Sequence, residues 1–118
     1  MSLNLDKYQH FAMLLANFHQ NISKTQVDIS TVMQKFTEIK QYFQQTVIPV
    51  TEEEMTSLAQ TNLQSYRTEM SKQIRLLEMD ILFLKGARQE KTIQTRNQSI
   101  SDRLNSLIRY CEAMKVEE

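Results

Sequence analysis

The most apolar stretch of the chain runs from Ile74 to Leu84 and predicts a helix with little polar surface. Along this region one stripe of apolar residues follows helical steps of three and four. Its members are Leu63, Tyr66, Met70, Ile74, Leu77, Ile81 and Leu84. Leu76 and Phe83 start a second stripe, and Met79 and Leu82 fill much of the remaining circumference. Because a helix that is apolar nearly all round is usually enclosed by neighbours, we expect it at the centre of a bundle.

The N-terminal part of the chain carries a seven-residue apolar repeat, which is typical of a left-handed supercoiled helix contact. One heptad position holds Tyr8, Leu15, Ile22, Ile29, Phe36 and Phe43. The position three residues further on holds Phe11, Phe18, Thr25, Val32 and Ile39. We predict one long helix from Leu5 to Val47. The alternative is two shorter helices, because Asn, Ser, Thr and Asp side chains within Asn21–Ser30 compete for backbone hydrogen bonds.

The end of this first helix and the start of the second have clear local signals. Pro49 lacks a backbone N–H and pushes its predecessor toward extended geometry, so the first helix stops there. Thr51–Glu54 (TEEE) fits a capping box, with Val50 and Met55 placed for a hydrophobic staple. The second helix is therefore predicted from Glu52 to Ala87.

A polar segment, Gly86–Thr92, predicts the second connection, because glycine commonly ends helices. A third helix follows, with one apolar seam. The seam residues are Ile93, Ile100, Leu104, Leu107, Cys111 and Met114.

The fold class follows from composition and helix length. One Gly and one Pro in 118 residues leave little material for the turns of a strand-rich fold. We predict a single domain, 1–118, that is an elongated antiparallel helical bundle of three long helices. Four helices result if the first is broken near Asn21–Ser30. Otherwise the short third helix leaves an apolar stretch uncovered, and a homodimer is expected.

Charge and targeting signals restrict the protein class. Fourteen basic and fourteen acidic residues cancel, which disfavours a non-specific nucleic-acid binder. The chain has one cysteine, no basic-then-apolar leader and no apolar run of about 18 residues. A cytoplasmic protein without a membrane partner is expected.

The residues that usually carry chemistry are scattered. His10 and His19 lie nine positions apart, on opposite sides of a helix, so they do not jointly hold a metal. Cys111 lies on an apolar seam with no histidine on its helix and is interpreted as a small buried hydrophobe. Glycine-rich phosphate loops are absent from the sequence. We therefore predict no catalytic, cofactor or metal site, and no enzyme.

Two charged features interrupt this pattern. Asp80 lies between the two apolar stripes, where a carboxylate needs a partner, and Arg103 or Arg109 is the predicted one. A structural ion pair is favoured over a catalytic role. The most basic region is the candidate partner-binding surface and contains Lys85, Arg88, Lys91, Arg96, Arg103 and Arg109. A solvated helix face is the first interpretation, an acidic protein partner the second and nucleic acid the third, since no aromatic residue lies between Phe83 and Tyr110.

Two segments, Arg75–Gln89 (RLLEMDILFLKGARQ) and Asp102–Met114 (DRLNSLIRYCEAM), resemble the cyanobacterial heterocyst frequency control protein PatD family. The resemblance implies a non-enzymatic cytoplasmic regulator of cell differentiation, linked to the tubulin-like division protein FtsZ. It carries over no functional residue. We expect a helical regulatory module that binds another protein, with FtsZ as one partner. The alternative is a helical adaptor or secretion-type chaperone that binds a partner helix in a groove.

Overall fold

The computed structural model describes the backbone of residues 3–22, 28–48 and 57–117, and all regular structure in these ranges is helical. Side chains are described for residues 6–22, 28–48 and 64–114. The helices are α1 (Leu3–Ile22), α2 (Ile29–Tyr42), α3 (Ser57–Gly86) and α4 (Glu90–Glu117). One π-helical turn, Phe43–Val47, continues α2.

The described helices pack as a bundle around one core. Helix α4 packs along both α1 and α3, while α2 packs against α1 and makes a smaller contact with α3. The principal extents are 49 × 21 × 20 Å. The prediction that the Ile74–Leu84 helix lies enclosed at the centre is wrong. Helix α3 lies on the outside of the bundle, so one of its faces is exposed to water.

The core contains the residues that the apolar repeats predict. Every heptad position of the N-terminal repeat with a described side chain is buried, except the half-buried Ile29, and Thr25 lies outside the described residues. On α3 the stripe is buried from Met70 to Ile81. Buried residues of the α4 seam are Ile100, Leu104, Leu107, Cys111 and Met114. Helical periodicity therefore identifies the inward face of each element.

The prediction of one continuous helix from Leu5 to Val47 is wrong, and the reason is the N-cap of α2. Asp28 has extended backbone geometry, with φ −76° and ψ 117°. Its carboxylate accepts hydrogen bonds from the Ser30 N–H at 3.2 Å and the Thr31 hydroxyl at 3.2 Å. These two hydrogen bonds stabilise a helix start at Asp28 and so favour it over an uninterrupted helix through this position. The break falls within the Asn21–Ser30 segment.

The C-terminal end of α2 is wider than a regular helix. The Ile48 N–H donates to the carbonyl of Phe43, five residues earlier, at 2.9 Å. Phe43 and Val47 of this π-helical turn remain buried. Such single turns often occur at functional sites. The predicted capping box Thr51–Glu54, its staple and the predicted start of the second helix lie outside the described residues.

The connection between α3 and α4 is shorter than the predicted Gly86–Thr92. It consists of Ala87, Arg88 and Gln89, because α4 already begins at Glu90. The Ile93 N–H donates to the Gln89 carbonyl at 3.0 Å, which closes the first turn of α4 over the polar residues assigned to the connection. Gly86 has no positive φ, so it ends α3 without the left-handed geometry that requires glycine.

Candidate protein-interaction face

Helix α3 carries a group of exposed apolar side chains, which we call the α3 outer patch and define as Met79, Leu82 and Phe83. Their side chains are 46, 51 and 51% exposed. On the helix they face away from the buried residues Ile74 and Ile81. Three large apolar side chains within about one helical turn form a contiguous patch rather than scattered surface hydrophobes.

Beside the patch lies a buried carboxylate, Asp80, which is only 5% exposed. Its Oδ1 lies 3.1 Å from Nη1 of Arg96 and accepts a hydrogen bond from it. Its Oδ2 lies 3.5 Å from Nε of Arg103. Both atoms of this second contact are buried without a hydrogen-bond partner, so the contact is Coulombic. Two guanidinium groups therefore compensate the desolvation of one carboxylate.

Arg96 connects this ion cluster to the outer patch. Its guanidinium carbon lies 4.3 Å from the centre of the Phe83 ring. The same group is hydrogen-bonded to Asp80 at 3.1 Å, so the cation is held over the ring by a second contact. Cation–π contacts of this kind favour arginine because its planar guanidinium stacks on an aromatic face. The Phe83 ring is thereby held in place on the surface.

The structure separates the six basic residues of the predicted partner-binding surface into groups. Arg96 and Arg103 are half-buried in the Asp80 cluster. Lys85, Arg88 and Lys91 are exposed around the α3–α4 connection, next to the outer patch, while Arg109 is exposed near the far end of α4. Arg109 lies 13 residues beyond Arg96, which is about 20 Å of helix, so it does not reach Asp80.

Two further cations border the outer patch and were not included in the sequence prediction. Lys72 and Arg75 are exposed on α3 and precede Met79 on the same outward face. No ion pair with another described residue engages either side chain. A helix assumed to be enclosed has no outward face, so the sequence interpretation did not consider them. Their spacing of four and seven residues from Met79 was the available signal.

A groove of about 360 Å³ lies between α2 with its π-helical turn and α3. Its lining residues are Lys40, Phe43, Gln44, Ile48, Ser71, Ile74, Arg75 and Glu78. At one end Lys40 Nζ donates to both carboxylate oxygens of Glu78, at 3.2 and 3.3 Å. Arg75 belongs both to this groove and to the outward face of α3, so the groove and the surface around the patch are continuous.

One serine–histidine contact was not predicted. The Ser101 hydroxyl and His19 Nε2 share a hydrogen bond of 2.8 Å between α4 and α1. Acyl-transfer chemistry also needs free N–H donors to stabilise an oxyanion. The backbone around both residues is helical, so its N–H groups are engaged within the helices. Neither residue lines the α2–α3 groove. The contact joins α1 and α4.

Within residues 6–22, 28–48 and 64–114, no three His, Cys, Asp or Glu side chains are grouped closely enough to hold a metal ion. Among the described helices, none combines the length and the apolar character needed to cross a bilayer.

The bundle with its exposed α3 face belongs to a recognised sequence family. The model of the family described as the CRR41 C-terminal domain matches residues 10–112 of the 118. The chain therefore belongs to the CRR41 C-terminal domain family. No curated protein and no solved structure matches it.

Proposed function

We propose that the protein is a non-enzymatic regulatory module that binds another protein through the α3 outer patch. The observation that supports this is the exposure of Met79, Leu82 and Phe83 on one face of a well-packed helix. At about half of roughly 200 Å² per side chain, they leave about 300 Å² of apolar surface in water. Contiguous apolar surface of that size on a monomer commonly marks an interaction site.

We further propose that the helices form an elongated antiparallel bundle, which holds this face rigid. Two ring contacts between α3 and α4 favour that arrangement. Tyr66 and Tyr110 have ring centroids 5.8 Å apart, and Arg96 stacks on Phe83. Residues late in α4 thus meet residues early in α3, while the short connection joins the opposite ends. A rigid face loses little conformational entropy on binding, which favours affinity.

The first partner to test is FtsZ, because of the resemblance to the heterocyst frequency control family. In this proposal the protein acts in the cytoplasm and binds the division protein or its filaments. The experiment is co-sedimentation of the purified protein with polymerising FtsZ at low and high salt. Saturable co-sedimentation is expected, and Met79→Glu should reduce it at least about tenfold, since the substitution places a charge in the apolar interface.

The matched control is Met13→Glu on α1, where Met13 is 57% exposed and distant in sequence from the patch. This variant should co-sediment like the wild type. Equal loss of binding in both variants would remove the patch from the proposal. Absence of wild-type binding, with helicity intact by circular dichroism, would contradict the FtsZ assignment.

A second candidate is a helical adaptor or secretion-type chaperone, and the α2–α3 groove favours it. The groove has an apolar floor that includes Phe43, Ile48 and Ile74, with charged residues at its edges. Grooves of this composition accept amphipathic helices. Ser71→Trp would fill the groove without touching the outer patch. Loss of client binding in this variant, with Met79→Glu unaffected, would favour the adaptor function over the patch.

A further inference from the structure

We propose that the α3 outer patch binds an amphipathic helix whose apolar anchor residues are flanked by carboxylates. This inference rests on the proposed function and adds the chemistry of the partner. The evidence is the charge around the patch, the size of the patch and the positions of its members along α3.

The exposed charges around the patch are almost all positive. Between residues 72 and 91 the exposed cations are Lys72, Arg75, Lys85, Arg88 and Lys91. Glu90 is the one exposed carboxylate in the same segment. Glu78 is paired with Lys40, and Asp80 is buried with its two arginines. Neither carboxylate therefore neutralises the five exposed cations, which form the basic rim of the patch. Complementary charge at an interface steers association and excludes wrong partners, so the partner should be acidic.

A second copy of the chain fits this face poorly. Two copies that met through the patch would bring their basic rims together, and like charges that face each other across an interface disfavour association. The apolar area is also small, since about 300 Å² compares with about 800 Å² per partner in a standard stable interface. A single helix needs less area than a globular partner and supplies the missing negative charge.

The spacing of the patch fits a helix with a central apolar face. Met79, Leu82 and Phe83 lie within about one helical turn, or about 6 Å along α3. Lys72 lies about 10 Å before Met79, and Lys85 follows Phe83 by two residues at the other end. The apolar anchors are thus bordered by cations at both ends. A partner helix with apolar residues at positions i, i+3, i+4 and i+7 and carboxylates outside them matches this arrangement.

Basic residues around exposed apolar side chains also occur on proteins that bind anionic bilayers. Two observations favour the helix. The whole chain has no net charge, which weakens its attraction to an anionic surface. Phe83 is held under the Arg96 guanidinium, and insertion of the ring among acyl chains would have to break that contact. Binding to anionic vesicles is therefore measured as the alternative outcome of the test.

The test uses two fluorescein-labelled synthetic helical peptides with identical leucines at i, i+3, i+4 and i+7. One carries glutamates at the flanking positions, and its control carries lysines there. Fluorescence anisotropy with the full-length protein measures both dissociation constants at low and high salt, and flotation with phosphatidylglycerol vesicles is measured in parallel. The acidic peptide should bind at least about tenfold more tightly than the basic one, and its binding should weaken with salt.

Two variants locate the binding. Arg75→Glu should weaken binding of the acidic peptide about tenfold, because it reverses a rim charge. Lys35→Glu on α2 reverses an exposed charge outside the segment 72–91 and should leave binding unchanged. Equal binding of both peptides would overturn the acidic partner but leave the α3 outer patch as an interface. Vesicle binding without peptide binding would overturn the partner class, because the patch would then bind an anionic bilayer instead of a helix. If the folded protein binds neither peptide nor vesicles, the inference is wrong, and FtsZ co-sedimentation separately decides the proposed function.

Discussion

Arg96 stacks on Phe83 at 4.3 Å while its guanidinium donates to the buried carboxylate of Asp80 at 3.1 Å. One side chain of α4 therefore fixes both a charge in the helix interface and an aromatic ring on the surface of α3. The ion cluster is thus a support for the α3 outer patch as well as a contact between two helices. This relationship links the stability of the bundle to its proposed binding face.

Replacement of Asp80 with Asn tests the ion cluster. The amide keeps the shape but removes the negative charge that compensates Arg96 and Arg103. Because both arginines are partly exposed, their hydration offsets part of the lost stabilisation. We expect the free energy of unfolding to fall by about 2 kcal/mol, measured by urea denaturation. Asp102→Asn changes an exposed carboxylate hydrogen-bonded to Gln98 and should have little effect. Wild-type stability in Asp80→Asn would show that the cluster is not a stabilising element.

Asp28 provides a test of the break between α1 and α2. Asp28→Ala removes the carboxylate that accepts from the Ser30 N–H and the Thr31 hydroxyl. Loss of an N-cap side chain costs about 1 kcal/mol. We expect that decrease in the free energy of unfolding, and Asp28→Ser should retain most of the stability because serine also caps. An Asp28→Ala variant more stable than wild type would indicate a continuous helix through this segment.

Gly86 is a site where substitution should stabilise the protein. A Cβ atom at this position would have no neighbour within 4 Å, and the residue has no positive φ. Gly86→Ala lowers the entropy of the unfolded chain, so the free energy of unfolding should rise by about 0.4–1 kcal/mol. Gly86→Pro should instead destabilise, since it removes a helical N–H and restricts Lys85. Thermal unfolding of both variants measures the difference, and destabilisation by alanine would contradict this geometry.

Stability should also depend on Tyr42 at alkaline pH. Burial raises the pKa of the Tyr42 hydroxyl above its ordinary value of 10.0, and the nearby Cys111 raises it further. The neutral hydroxyl donates to the Lys7 carbonyl at 3.3 Å. The Tyr42 hydroxyl therefore ionises at lower pH in the unfolded chain than in the folded protein. The stability that the neutral hydroxyl provides is fully present below about pH 10 and is lost as the pH rises through the folded pKa.

The measurement for Tyr42 is the urea midpoint of wild type and Tyr42→Phe across this pH range. Phenylalanine cannot ionise, so the variant should lose less stability than wild type as the pH rises above about 10. All other side chains are the same in both proteins, so their contributions cancel in the comparison. Parallel loss of stability in the two proteins would contradict the raised pKa.

The buried faces of the helices could be predicted from the sequence because periodicity reports which residues share a face. Tyr8, Phe11 and Leu15 follow the heptad repeat and are fully buried, as are Leu104 and Leu107 on α4. Periodicity does not report how many neighbours cover a helix. The prediction that the α3 outer patch is buried was therefore wrong. Hydropathy alone does not distinguish a helix enclosed by neighbours from an outer helix with an exposed apolar face.

The partners of Asp80 show how an error in a connection changes a site prediction. Arg103 was one of the two predicted partners, and the structure places it 3.5 Å from the carboxylate. Arg96, the closer partner, was not named. Asp80 lies six residues before the end of α3, and Arg96 lies six residues after the start of α4. A connection of three residues aligns the two, whereas the predicted Gly86–Thr92 connection left Arg96 near the start of its helix.

The most direct test of the proposed interface is photo-crosslinking at position 79 in the cell of origin. A benzophenone amino acid replaces Met79 in one variant and Met13 in the other, since both side chains are exposed methionines of the bundle. The account predicts a discrete adduct with another protein from position 79, absent from position 13, and abolished when Arg75→Glu is added. Identical adducts from both positions, or none from position 79 in a folded protein, would contradict an interface at the α3 outer patch.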